Sequence, residues 1–302
     1  MTLDLLAARR FMTTHARLLD RRRLLLLLGD SDPDAVLAAL EAYRNLDGGY
    51  GWGLEPDLRA SESQPGGALH AFEVFDEIGP ITSSRAVELC DWLDAVTLAD
   101  GGLPFALPVA DPAGCASFWA EADATASSLH ITSAVTAYAL RAARHDASGI
   151  GRHPWLIRAT EYCLGAIAAI HRAGHAIELK FVLDFLDVLS DERQEAIAHI
   201  ERLGSAIPPS GLVPVVGGLE DEMMRPLDFA PLPDRPVRSL FDGEVVATEL
   251  DRLASQQEDD GGWHTDFAAA SPIAALEWRG YQTVWAISVL QRNGKLYRRN
   301  FP

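Results

Sequence analysis

Apolar residues recur every three to four positions along most of the chain, and strict alternation with a period of two is nearly absent. This pattern predicts an all-α fold. The predicted helices span residues 2–28, 34–45, 66–78, 84–97, 123–145, 154–171, 175–189, 191–204, 243–257 and 277–292. Segment 205–242 is rich in Pro and Gly, which predicts a long structured loop between the last two groups of helices.

Three predicted helices are followed by the tripeptide Asp-Gly-Gly and then by an aromatic residue or Leu. These turns begin at Asp47, Asp100 and Asp260, and segment 210–214 (SGLVP) is a degenerate fourth copy. Their spacing fits roughly one and three units of a ~50-residue repeat. Glycine can take the positive φ that reverses a chain after a helix, and aspartate accepts backbone N–H groups in such turns. Since one helix pair cannot bury its apolar face alone, the pairs are expected to stack in a row or a ring.

Segment 256–263 (QQEDDGGW) resembles the QW-type repeat of the squalene–hopene cyclase and prenyltransferase superfamily, and segment 45–53 (NLDGGYGWG) resembles a second copy. The resemblance implies one α/α-toroid domain over residues 1–302, with inner helices around a central cavity and outer helices around them. The superfamily includes class II terpene cyclases, protein prenyltransferase β subunits and non-catalytic toroids. The repeat therefore specifies a fold more than a reaction.

The composition of the chain limits the classes of partner and metal that it is expected to bind. The chain has 302 residues, 48% hydrophobic residues and a net charge of −17, which disfavours nucleic acid and anionic lipid. The longest apolar run near the N-terminus, residues 24–29, is far shorter than the ~20 residues that span a bilayer, so a cytoplasmic location is expected. Cys90, Cys115 and Cys163 show neither CxxC spacing nor the Asp-x-Cys of protein prenyltransferases, which disfavours a structural disulfide or zinc. Nothing in the sequence specifies an oligomeric state.

Class II cyclases carry a DxDD motif before an inner helix, and segment 121–126 (EADATA) resembles a degraded copy of it. Glu121 matches the first acid, Asp123 the middle one, and Ala124 replaces the last. The resemblance implies that Asp123 is a proton donor and that Glu121 assists it. Aspartate is also a favoured helix N-cap, so the alternative role for Asp123 is to cap the helix that follows.

Further candidate ligand contacts lie near the predicted turns and inner helices. The aromatic and basic candidates are Trp52, Phe105, Trp119, Phe229, Trp278, Arg279 and Tyr281, and the acidic candidates are Glu55, Asp57 and Asp228. Aromatic rings stabilise carbocations and also stack on sugars, whereas a carboxylate pair can cleave a glycosidic bond. The alternative for the rings is ordinary core packing, and for the acids an exposed surface position.

Three functions fit these observations. The first is acid-initiated cyclisation or isomerisation of an isoprenoid in an aromatic-lined cavity, with a small hydrophobic ligand as partner. The second is a carbohydrate-active α/α barrel that uses the rim carboxylates, and the third is a non-catalytic toroid that binds a ligand or a protein. No cofactor is expected, and Mg²⁺ would be needed only for a diphosphate substrate.

Overall fold

A computed structural model describes residues 3–79, 84–145 and 149–296. Within them the chain forms thirteen α-helices and one two-stranded antiparallel sheet, so the predicted all-α class is confirmed. The helices are α1 (Leu5–His15), α2 (Leu18–Leu28), α3 (Pro33–Leu40), α4 (Pro65–Glu77), α5 (Ser84–Val96), α6 (Ser117–Ala120), α7 (Leu129–Ala143), α8 (Pro154–Ala169), α9 (Ala176–Leu189), α10 (Glu195–Gly204), α11 (Pro226–Phe229), α12 (Gly243–Ser255) and α13 (Pro272–Arg292). The strands are β1 (Val213–Pro214) and β2 (Met223–Met224).

The single helix predicted over 2–28 is wrong, because the chain turns between α1 and α2. Ala16 and Arg17 are extended, with ψ of 158° and 152°. Helix α13 comes close at this point: a Cβ atom on Gly280 would lie only 2.9 Å from the Ala16 Cβ atom. The close approach of α13 thus coincides with the point where the N-terminal helix divides.

Two predicted helix starts are also wrong, because a serine caps each helix elsewhere. The Ser128 hydroxyl accepts the N–H of Ile131, so α7 begins at Leu129 and Asp123 is not its N-cap. The Ser271 hydroxyl caps α13 and Pro272 occupies its first turn, five residues before the predicted start. Segment 205–242, predicted as a structured loop, holds β1, β2, α11 and a 3₁₀ turn at Pro236–Leu240.

The three Asp-Gly-Gly turns share one backbone geometry. In the turns at Asp47, Asp100 and Asp260, the Asp Oδ1 atom accepts the N–H of the second glycine at 2.9, 3.1 and 2.9 Å. The first glycine has φ of 91°, 94° and 95°, and its N–H donates to the carbonyl three residues earlier. Side chains rarely tolerate this φ, so the repeat requires glycine at that position.

Each turn packs its first glycine against the backbone of another helix. A Cβ atom on Gly48 would lie 3.0 Å from a carbonyl oxygen of α5, and one on Gly101 would lie 3.3 Å from a carbonyl oxygen of α8. On Gly261 it would lie 2.2 Å from the Ala7 carbonyl oxygen of α1. The last of the three turns therefore packs against the first helix.

Helix packing alternates along the chain. Helix α4 packs against α7, α7 against α9, α9 against α11, and α13 against α2. Buried apolar residues form two clusters: one lies within 19–159, and the other joins α1 to α9–α13. Leu140 of α7 packs against both clusters, so the apolar core is continuous through this helix.

Candidate functional site

A buried imidazole lies between two carboxylates at the middle of α4. His70 Nε2 is 2.8 Å from Glu55 Oε2, and His70 Nδ1 is 2.9 Å from Glu73 Oε2. Glu55 lies in the loop after the first Asp-Gly-Gly turn, whereas His70 and Glu73 are one helical turn apart on the same face of α4. All three side chains are less than a tenth exposed.

In this group, each charged side chain stabilises the charged form of its neighbour. Burial opposes the positive charge of His70, but the Glu73 and Glu55 carboxylates overcome it and raise the pKa of His70 to about 9. Burial likewise opposes the negative charge of Glu73, but the His70 imidazolium and Arg23 lower the pKa of Glu73 to about 2. At neutral pH His70 is therefore a cation held between two carboxyl groups.

Helix α13 and the loop before it complete this group. The Tyr281 hydroxyl donates to Glu73 Oε1 at 2.8 Å, and the Trp278 indole donates to Asp57 Oδ2 at 2.7 Å. The backbone N–H groups of Asp57 and Ala270 donate to Glu55 Oε1 and Asp57 Oδ1. Each carboxylate oxygen thus has a partner. We call this set the His70 cluster: Glu55, Asp57, His70, Glu73, Trp278 and Tyr281.

A second group surrounds the first turns of α7 and α9. The Phe105 and Trp119 rings stack with centroids 4.4 Å apart, and the His130 ring lies 5.2 Å from Phe105 and 5.1 Å from Phe181. Lys180 Nζ lies 3.8 Å from the centroid of the Phe181 ring, a cation–π contact. Asp228 of α11 interacts electrostatically with Lys180 of α9, and these two helices pack against each other. We call this set the Lys180 cluster: Phe105, Trp119, His130, Lys180, Phe181 and Asp228.

The polar groups of the Lys180 cluster are poorly partnered. In the described part of the chain, Lys180 makes no hydrogen bond or ion pair, and neither ring nitrogen of His130 hydrogen-bonds. Burial and the nearby Lys180 charge lower the pKa of His130 to about 3, so its ring is neutral. Burial raises the pKa of Asp228 to about 6, against the opposing effects of the Arg225 N–H and Lys180.

The two clusters meet at α4. A Cβ atom on Gly66 would lie 3.3 Å from the Trp119 ring and 3.6 Å from the Glu55 Cβ atom. The missing side chain thus lets the Phe105–Trp119 stack approach the His70 cluster. The structure brings together seven of the predicted site residues in these two clusters: Glu55, Asp57, Phe105, Trp119, Asp228, Trp278 and Tyr281.

The predicted proton donor lies elsewhere. Asp123 and Glu121 are both exposed. Asp123 Oδ1 accepts the hydroxyl of Thr125 at 2.6 Å and its N–H at 2.8 Å, and these bonds lower the pKa of Asp123. Hydrogen bonds to the anion make Asp123 hold its charge rather than carry a proton.

The other predicted contact residues make different contacts from those of the two clusters. The Trp52 ring is exposed and donates to Asn45 Oδ1 at 2.8 Å. Phe229 is buried in the apolar core beside Phe241. Arg279 forms two hydrogen bonds with Asp260 of the third Asp-Gly-Gly turn, at 2.9 and 2.7 Å. Their contacts stabilise turns and core.

His70, His130 and Lys180 were missed by the sequence analysis. The i,i+3 spacing of His70 and Glu73 in the sequence indicates that the two side chains lie on one helix face. Lys180 is one of only two lysines in the chain, and it lies in the apolar stretch 179–183. Lysine is rarely buried in proteins. A single lysine within an apolar helical stretch is therefore a candidate functional residue.

A scan against protein-family models finds no match, and a search of curated proteins finds no significant match. The resemblance in the Asp-Gly-Gly turns therefore stands on those residues alone. In the portion of the chain that the structure describes, no helix is both long and apolar enough to cross a membrane. Nor do three or more His, Cys, Asp or Glu side chains within it group as metal ligands would.

Proposed function

We propose that the helices form an α/α toroid, in which α2, α4, α7, α9, α11 and α13 are inner and α1, α3, α5, α8, α10 and α12 are outer. Support comes from the alternating packing and from the three identical turns. The contact of the Gly261 turn with α1 supports ring closure, because α1 occupies the place that α5 and α8 take at the other two turns. The Lys180 cluster then lies toward the N-terminal ends of α7 and α9, and the His70 cluster lies beside the middle of α4.

The proposed ligand is an isoprenoid or a similar apolar molecule bound on the Lys180 cluster. The observation that carries this is the combination of several aromatic rings with few free polar groups. A sugar would need many hydrogen-bonding partners, yet the oxygens of Glu55 and Asp57 already accept hydrogen bonds from the protein. The isoprenoid hypothesis therefore has more support than the carbohydrate one.

The proposed reaction is proton-initiated cyclisation or isomerisation, with Asp228 as the acid in place of Asp123. A general acid works best with a pKa near the working pH, and Asp228 meets this condition whereas Asp123 does not. An apolar ligand over Asp228 would exclude water and favour its protonated form further. An acid of this strength suits an epoxide oxygen better than an unactivated alkene.

The test compares two matched substitutions in turnover of 10,11-epoxyfarnesol, with products separated by gas chromatography and mass spectrometry. Asp228→Asn keeps the oxygen that accepts the Arg225 N–H but removes the acid, so turnover should fall roughly 100-fold or more. Asp123→Asn should leave turnover unchanged. Loss in Asp123→Asn but not in Asp228→Asn would overturn the assignment of the acid, and absence of both binding and turnover would overturn the isoprenoid hypothesis.

A further inference from the structure

Lys180 differs from two other cations of the proposed inner helices, Arg23 and Arg141, which both pair with carboxylates. Arg23 of α2 forms two hydrogen bonds with Glu77, each 2.7 Å, and Arg141 of α7 binds Asp184 at 2.8 Å. Lys180, half-buried on α9, has no carboxylate within ion-pairing distance in the described ranges. A cation that gives up part of its hydration without an anionic partner is costly. Asp228 interacts electrostatically with Lys180 but lies beyond ion-pairing distance in the described structure, so the cation still lacks a direct anionic contact that a ligand could make.

His130 adds a second free polar group beside this cation. Its ring is neutral and packs between Phe105 and Phe181, and it makes no hydrogen bond within the described residues. A neutral imidazole has one N–H, which can donate to an oxygen without adding a second positive charge. Lys180 and His130 together offer one positive charge and two kinds of donor.

We propose that Lys180 and His130 bind a carboxylate on the ligand, and that its apolar body lies on the neighbouring aromatic rings. This inference rests on the proposed function, since it specifies the substrate class of the same site. When Asp228 is protonated, as the proposed reaction requires, the single positive charge of Lys180 matches the single negative charge of a carboxylate. A phosphate dianion would leave one charge unmatched in a partly desolvated site of a protein whose net charge is −17.

The test measures binding of trans,trans-farnesoic acid and of its methyl ester by calorimetry. The wild-type protein should bind the acid at least roughly tenfold more tightly, because hydrogen bonds to a charged group are stronger than those to a neutral one. Lys180→Met, which keeps the length and apolar stem of the side chain, should abolish this preference. Lys180→Arg should restore most of it, because it restores the charge.

Lys295→Met is the matched control, since Lys295 is the other lysine and pairs with Asp251 at the surface. It should leave the preference for the acid intact. Equal binding of acid and ester, an undiminished preference in Lys180→Met, or tighter binding of farnesyl monophosphate than of the acid would each overturn the carboxylate site.

Dodecanoic acid and its methyl ester separate this inference from the isoprenoid hypothesis. If they bind with the same Lys180-dependent preference while both farnesoyl compounds fail to bind, the carboxylate site stands and the isoprenoid class is wrong. If the farnesoyl ester binds as tightly as the acid, the isoprenoid class stands and the carboxylate site is wrong. Failure of all four compounds to bind would overturn both.

Discussion

The His70 cluster and the Lys180 cluster lie side by side, but they differ in how far their polar groups are hydrogen-bonded or paired within the protein. In the His70 cluster, a buried cation contacts two carboxyl groups, and tyrosine, tryptophan and backbone donors reach the remaining oxygens. In the Lys180 cluster, a cation and a neutral imidazole have no polar partner in the described parts of the chain. A saturated network stabilises the native state, whereas free polar groups cost stability and are suited to a ligand.

The positions of the two clusters fit this division. The His70 cluster links α4 to α13 through Glu73 and Tyr281, and the loop at Asp57 to the start of α13 through Ala270. It thus joins an early part of the chain to its last helix. Trp119 of the Lys180 cluster and Glu55 of the His70 cluster both lie beside Gly66 of α4, so the hydrogen-bonded network is next to the proposed ligand site.

The largest effect is expected from His70→Ala. Without the imidazolium, Glu55 and Glu73 would remain buried with too few partners, and the free energy of unfolding should fall by about 3–5 kcal/mol. Urea denaturation followed by circular dichroism measures this. His264→Ala is the control, because His264 is exposed and its contact with Glu258 is worth at most about 1 kcal/mol. Equal losses in the two variants would show that the His70 cluster adds nothing special to stability.

The pH dependence of stability gives the next largest effect. The pKa of His70 is raised in the folded state, so its contribution is fully present below pH 6.5 and is lost as pH rises through about 9. The pKa of Glu73 is lowered, so its contribution is present above pH 4.5 and is lost as pH falls through about 2. The difference between wild type and His70→Ala should therefore be largest between pH 4.5 and 6.5. A difference that does not shrink at alkaline pH would contradict the ion-pair interpretation.

The sequence predicted most helices because their burial pattern is local. Helices α4, α5, α9 and α12 were predicted to within about two residues at each end, because long apolar faces and Pro or Gly boundaries specify them. The turn at Ala16 was not predictable in this way, since it lies where Gly280 from a distant part of the chain packs closely, and no local pattern marks that contact. Tertiary packing there overrides local helix propensity.

The candidate site was predictable only in part, because the partners of its side chains are set by tertiary structure and not by the local sequence. Glu55, Asp57, Trp278 and Tyr281 follow from the idea that loops after the turns meet the inner helices, but the pattern could not show which of them share hydrogen bonds. His70 and Lys180 lie within otherwise apolar helices, where one polar residue has no local feature that separates structure from function. Their partners, or the lack of partners, exist only in the folded chain.

Asp228→Asn should have an effect of opposite sign to His70→Ala. The folded-state pKa of Asp228 is raised from 3.8 to about 6, so ionisation destabilises the folded state as pH rises through that range. The asparagine variant avoids this loss and should be more stable than wild type by about 1 kcal/mol above pH 7, after allowance for solvent screening. The gain should vanish below pH 3.8. Thermal denaturation of both proteins across this range measures it, and a loss of stability above pH 7 would contradict the expected sign.

The smallest effect on stability is expected from Lys180→Met. Lys180 makes no ion pair within the described residues, so its replacement should lower the free energy of unfolding by no more than about 0.5 kcal/mol, and removal of an unpartnered charge should if anything raise it. Arg23→Met is the matched comparison: it also replaces a cation of a proposed inner helix, but it breaks the bonds to Glu77 and should cost about 3 kcal/mol or more. Urea denaturation of the two variants measures both values. A large loss in Lys180→Met would mean that Lys180 stabilises the fold, and the contrast between the two clusters would then disappear.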